Sequence, residues 1–132
     1  MEFTIEHIGL AARDTVALKD WYVRVLGAEV SFDNGENPPA FFLKLKGVGY
    51  IEIYQAQNVI QEIGNNRLGG WRHLALRVTS IESAQEFLAA KGAQFEEPIK
   101  PAGGGGRVLF FKDGEGNLLH LIERPKDTVF KV

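Results

Sequence analysis

One short pattern occurs twice in this chain, and it restricts the fold more than any other feature. Glu6-His7-Ile8-Gly9-Leu10 returns as Arg72-His73-Leu74-Ala75-Leu76, with a histidine at the same place in each copy. A pattern that recurs at half the chain length marks two copies of one supersecondary unit, whose hydrophobic faces must be buried together. Each copy runs into an amphipathic helical stretch. The first is expected over residues 15–25, burying Val16, Leu18, Trp21, Tyr22 and Val25; the second over 81–91, burying Ile81, Ala84, Phe87 and Leu88. Gly27 and Gly92 then stand where a helix C-terminus needs a left-handed residue, and a strand is expected after each.

Two further strands follow in each half, over 41–46 and 49–54 and over 107–112 and 117–123. The turn-rich segments Lys46-Gly47-Val48-Gly49 and Asp113-Gly114-Glu115-Gly116-Asn117 join them. Each half therefore reads βαβββ, and the fold class is α+β, two such modules in one chain. The first module spans about residues 3–54 and the second about 71–124. The connector, 55–70, holds Gly64-Asn65-Asn66 and Gly69-Gly70 around a short apolar stretch with room for one helical turn.

The length of 132 residues suits one domain, and an apolar fraction of 45% with 24% charged residues is that of an ordinary folded chain. No apolar run approaches the ~20 residues of a spanning helix, and the first residues lead straight into a strand pattern without a signal-like segment. A cytoplasmic protein without membrane contact is the expectation. Acidic and basic residues are interspersed at a net charge of −2, which offers no basic stripe to nucleic acid. With no cysteine, His, Asp and Glu are the strong metal ligands available.

Side chains alternate across a strand, so parity decides which of these can meet. His7 lies opposite in face to Ile8 and Leu10, and His73 opposite to Leu74 and Leu76. In the later strands Glu52 alternates with Ile51 and Ile53, and His120 with Leu119 and Leu121. The aliphatic faces seat the helices, which leaves His7, Glu52, His73 and His120 on the other face as a candidate ligand set for one divalent metal. One carboxylate and three imidazoles suit Zn, Ni, Co, Mn or Fe and leave about two octahedral positions open. Any one of these residues alone is more often a solvated strand residue; the joint pattern favours the metal. Glu123 has the other parity and reads as structural or exposed. Arg77, Tyr50, Tyr54, Trp71 and Phe42 have the parity or proximity to line the same cup, with an arginine suited to a substrate carboxylate, although rings are more often core. The four glycines from Gly103 to Gly106 read as a flexible connector, with a lid hinge as the lesser alternative, and Asn37-Pro38-Pro39 reads as a loop.

At the stretches EHIGLAARD, LKDWYVRVLGAEV, YIEIY, RHLALRV and FFKDGEGNLLHLIERP the chain resembles the vicinal oxygen chelate superfamily, which includes glyoxalase I, extradiol dioxygenases, methylmalonyl-CoA epimerases, and fosfomycin- and bleomycin-resistance proteins. The resemblance implies that the two βαβββ modules pair into an incomplete β-barrel that cups a metal, with ligand roles for His7, Glu52 and His73. The fourth position departs from it: His120 stands where glyoxalase I and the epimerases have a glutamate. By resemblance the protein is a metal-dependent lyase or isomerase of the glyoxalase kind, acting on a small substrate with vicinal oxygens through a metal-stabilised enediolate. Glu52 or His120 would move the proton. A non-catalytic binding or resistance protein for a small chelating molecule and an Fe(II)-dependent dioxygenase are the alternatives. A homodimer is the implied assembly, with modules paired within a chain or across two.

Overall fold

The computed structural model describes residues 1–59 and 62–132 and divides them between two compact units, Met1–Gln61 and Glu62–Val132. The first unit runs β1 (His7–Ala12), α1 (Thr15–Leu26), β2 (Glu29–Asp33), β3 (Phe41–Leu45) and β4 (Gly49–Gln55). The second runs β5 (His73–Arg77), α2 (Ile81–Ala90), β6 (Lys100–Pro101), β7 (Arg107–Lys112) and β8 (Leu118–Glu123). Both are βαβββ, and each makes an open four-stranded mixed sheet, β1-β4-β3-β2 and β5-β8-β7-β6. In each sheet the first strand pairs in parallel with the last, and the remaining pairs are antiparallel. The fold class is α+β, as the repeat implies.

Local chemistry explains the helix ends. Asp14 caps α1 by accepting the Ala17 N–H at 2.9 Å, and Ser80 caps α2 by accepting that of Ser83 at 3.2 Å. Past the far ends, Gly27 (φ +68°) and Gly92 (φ +103°) take the positive φ that reverses the chain. The helix α1 packs on β1, β3 and β4, and α2 on β7 and β8. Their apolar stripes meet Leu43, Ile51 and Ile53 in the first unit and Leu109, Leu119 and Leu121 in the second, all buried.

Three helix positions differ from the sequence expectation: Ala84 is half-buried, and Val16 and Phe87 are exposed. Val16 is 42% exposed, and Thr15 takes its place inside, because the stripe Thr15, Leu18, Trp21/Tyr22, Val25 falls one residue earlier than the apolar residues suggest. Phe87 is 61% exposed, a step round the helix from Ile81 and Leu88, and the Lys91 ammonium covers its ring at 5.0 Å. The strand after α2 also differs. It is only the dipeptide Lys100–Pro101, whereas β2 has five residues. Pro98 and Pro101 lack the N–H that a longer ladder needs, so this edge is short. The helical turn expected in the connector 55–70 is not found among its described residues, which form bends and turns after the end of β4; Ile60 and Gln61 lie outside the described residues.

The turn from Gly103 to Gly106 is a held structure, not the slack connector its composition suggests. The Ala102 N–H reaches the Gly106 carbonyl at 3.0 Å, and Gly104, Gly105 and Gly106 all have positive φ. Arg124 donates to the carbonyls of Gly103 and Gly105, and its guanidinium stacks 4.2 Å from the Phe130 ring centroid. Phe130 in turn lies where a Cβ on Gly104 would be, and a Cβ on Gly106 would collide with the Glu123 carbonyl. Close approach, as much as φ, requires glycine here.

Candidate metal-ligand pairs

Parallel pairing of the first and last strand is what brings candidate ligands together. In the first unit Gly9 is the register partner of Glu52, and His7 lies two residues away on the same face. In the second, Ala75 is the partner of His120, with His73 again two residues away. The residue directly beside each last-strand ligand is thus Gly or Ala, which leaves room for a histidine to lean across. His7 Nε2 comes within 3.2 Å of Glu52 Oε2. The His73 and His120 rings stand 4.5 Å apart between centroids, inclined at 60°.

The antiparallel neighbour supplies a ring to each pair. Phe42 is the register partner of Glu52 and packs edge-on against His7 at 5.3 Å. Phe110 is the partner of His120 and lies 4.8 Å from it and 5.8 Å from His73. Sequence reasoning placed Phe42 at the site and missed Phe110, although the step from 42 to 110 equals that from 52 to 120 and would have found it.

All three histidines commit Nδ1 to an oxygen. His7 donates to Glu6 Oε1 at 2.8 Å, His73 to Asn66 Oδ1 at 2.7 Å, and His120 to the Leu121 carbonyl at 3.3 Å. A ring that donates from Nδ1 keeps its Nε2 lone pair for a ligand, the arrangement by which outer partners orient metal-binding imidazoles. For His7 the consequence is sharp. Its Nε2 lone pair would face a carboxylate oxygen at 3.2 Å, and two electron-rich atoms approach that closely only with a cation, a proton or a metal, between them. Glu6 and Asn66 were not singled out from sequence, since a neighbour in the chain and a connector residue follow no strand periodicity.

His120 is the buried member, at 8% exposure. Burial holds its pKa below the usual histidine range; the Leu121 carbonyl works against that shift, and His73 and Arg124 add to it. A neutral imidazole is the form that binds a metal. Among the described residues no group of three or more His, Cys, Asp or Glu side chains is gathered for a metal. Each unit offers two candidate donors, N/O in the first and N/N in the second, and each donor type suits a divalent transition metal.

The other sequence candidates are placed as follows. Tyr54 lies over Gly9, its ring 3.4 Å from where a Cβ would be, on the His7 side of the sheet. Tyr50 is the register partner of His7 and partly exposed. Arg77 donates to the Phe130 carbonyl at 2.9 Å, so its guanidinium helps fasten the C-terminal segment. Trp71 is fully exposed just before β5. Glu123 is structural, as its parity suggests. It accepts the Ile81 N–H at the start of α2 and pairs with Arg107, which is also forked onto Glu82 at 2.6 and 2.9 Å.

Comparison with known proteins agrees with this architecture. The model of the Glyoxalase/Bleomycin resistance protein/Dioxygenase superfamily matches residues 4–121. A glyoxalase family protein of Enterococcus faecalis is 31% identical in sequence and superposes with a TM-score of 0.77, over 91% of this chain and 97% of its own. YwkD of Bacillus subtilis (strain 168), an uncharacterized protein, is 28% identical over 124 residues, 92% of this chain and 97% of that one. The fosfomycin resistance protein FosX of Listeria monocytogenes, at 20% identity and a TM-score of 0.70 over 96% of this chain and 94% of its own, shares the fold; its crystal holds Mn(II) and a sulfate ion.

Proposed function

Because the chain belongs to the Glyoxalase/Bleomycin resistance protein/Dioxygenase superfamily, we propose that His7, Glu52, His73 and His120 together hold one divalent transition-metal ion, and that the protein is a glyoxalase-like lyase or isomerase. Its substrate is a small molecule with oxygens on adjacent carbons. The observation that carries the reading is that all three histidines tie Nδ1 to an oxygen and so reserve Nε2, one of them facing Glu52. The presence of Mn(II) in FosX, whose fold this chain shares, supports a divalent metal. A bound ion supplies Lewis acidity, polarising two vicinal oxygens and stabilising the charge that develops when the neighbouring C–H is deprotonated.

The chain's own groups do the rest. Glu52, half exposed beside His7, is placed to accept a proton, and His120, buried and with its pKa lowered by that burial, is a second base once its Nε2 leaves the metal. Phe42 and Phe110 flank the two pairs and limit water there. The protein acts in the cytoplasm as a homodimer on this reading.

The test is elemental analysis of unchelated protein beside His120→Ala, followed by assays of the replete protein. About one equivalent of a transition metal, largely lost in the variant, is expected. So are isomerisation of 2-oxoaldehyde–thiol adducts or exchange of α-protons in 2-oxo or α-hydroxy compounds. Metal-replete protein that does neither across a broad panel sinks the lyase/isomerase assignment. Oxygen uptake that requires Fe(II) would replace it with a dioxygenase, and ligand binding without turnover with a binding protein.

A further inference from the structure

The second unit contains a cavity of about 640 Å³, within the size range of small-molecule sites, that the ligand pairs do not account for. Its lining joins the apolar side chains of Val108, Phe110 and Leu118 to the polar ones of Asn66, Arg67 and Lys100. We propose that this cavity is an anion subsite in which Arg67 and Lys100 hold the carboxylate or phosphate of a small substrate. The proposal rests on the metal-site reading above for the position of the reacting atoms, and on the cavity alone for the anion.

Charge is the first argument. The lining has two cations and one carboxylate, Glu97, which is 3.5 Å from Lys100. Two more cations border it. The Lys112 side chain lies against Gly64 of the lining, and Arg72 donates to the Asn65 carbonyl at 3.4 Å. No carboxylate among the described residues pairs with the Arg67 guanidinium, so a planar fork of donors is left for an incoming anion. A cleft with this excess of one sign concentrates the opposite charge.

Placement is the second. The Lys100 ammonium is held 4.8 Å over the Phe110 ring, and that ring is the wall of the His73–His120 pair. Asn66 lines the cavity and also accepts from His73 Nδ1. A molecule whose anionic end sits on Arg67 and Lys100 therefore extends along Phe110 toward the two imidazoles. The ligand class is a small acid: an anionic group joined by a short apolar stretch to the reacting oxygens.

The experiment uses metal-stripped full-length protein at low ionic strength, where surface electrostatics are least screened. Inorganic phosphate, acetate and succinate are titrated by calorimetry into wild type, Arg67→Gln, Lys100→Gln, the double variant and Arg67→Lys, with melting curves to confirm folding. Wild type should bind at least one anion, each single Gln variant about tenfold more weakly and the double variant not measurably, with Arg67→Lys recovering part of the loss. Tighter phosphate than acetate points to a phosphorylated substrate, and the reverse to a carboxylic acid. Equal binding by wild type and the folded double variant, or no binding of any of the three anions by wild type, overturns the subsite. Elemental analysis of the unchelated double variant separates the two readings: it should keep the metal content of wild type while losing anion binding, and wild type that binds anion but no metal would sink the metal reading and leave the subsite standing.

Discussion

An imidazole has two nitrogens, and the one that binds a ligand is decided by what the other one does. Asn66 makes that decision for His73. Asn66→Ala should leave the fold intact and weaken metal binding by about 10- to 100-fold, measured by competition titration with a chromogenic chelator. Unchanged affinity would mean that His73 needs no outer partner. The pairing of His7 with Glu52 and of His73 with His120 could be anticipated in the sequence because strand parity is a property of consecutive residues. Asn66, Glu6, Arg67 and Lys100 could not, because each acts through a loop or a neighbouring backbone whose path no local periodicity encodes. Arg77 shows the same limit from the other side: its position on β5 puts it near the candidate face, but its guanidinium goes to a carbonyl more than fifty residues on.

At the level of elements, the two halves show how far a repeat can be trusted. Strand order, helix caps and both hairpins follow from Gly27, Gly92, the segment 46–49 and the Asp113 turn, where the Asp113 carboxylate accepts the N–H groups of Glu115 and Asn117. The short β6 does not follow, because its length depends on prolines that have no counterpart in β2. The start of α2 is fastened by charge: Glu123 receives the first helical N–H, and Arg107 bridges Glu123 to Glu82. Hydrogen bonds from Arg107 hold the Glu82 carboxyl below the usual glutamate range. A carboxyl with a lowered folded pKa contributes stability above its unfolded value and loses it as pH falls through the folded one. From about pH 5 to about pH 3 the melting temperature of wild type should therefore fall more steeply than that of Glu82→Gln. Parallel melting curves for the two proteins would show that the bridge adds no acid-sensitive stability.

For the molecule as a whole, the number of metal ions bound per chain tests whether the two candidate donor pairs act as one site. A resident transition metal ordinarily takes three or four protein ligands. If one ion draws on both units, calorimetry should give one site per chain, and His7→Ala and His73→Ala should each abolish it although they alter different units. Metal at 100-fold over its dissociation constant should also raise the stability of wild type by about 2.7 kcal/mol, and that of neither variant. Two sites per chain, each lost in only one variant, would mean that the pairs bind independently.

The duplicated register has a consequence for how such a site can change over time. β4 and β8 present their candidate ligand, Glu52 or His120, beside a small residue on one neighbouring strand and opposite a phenylalanine on the other. A carboxylate in one copy and an imidazole in the other thus occupy equivalent seats. Ancestral exchange of one for the other needs a change of codon but no change of backbone, so this architecture lets the hardness of a ligand set drift while its geometry is inherited.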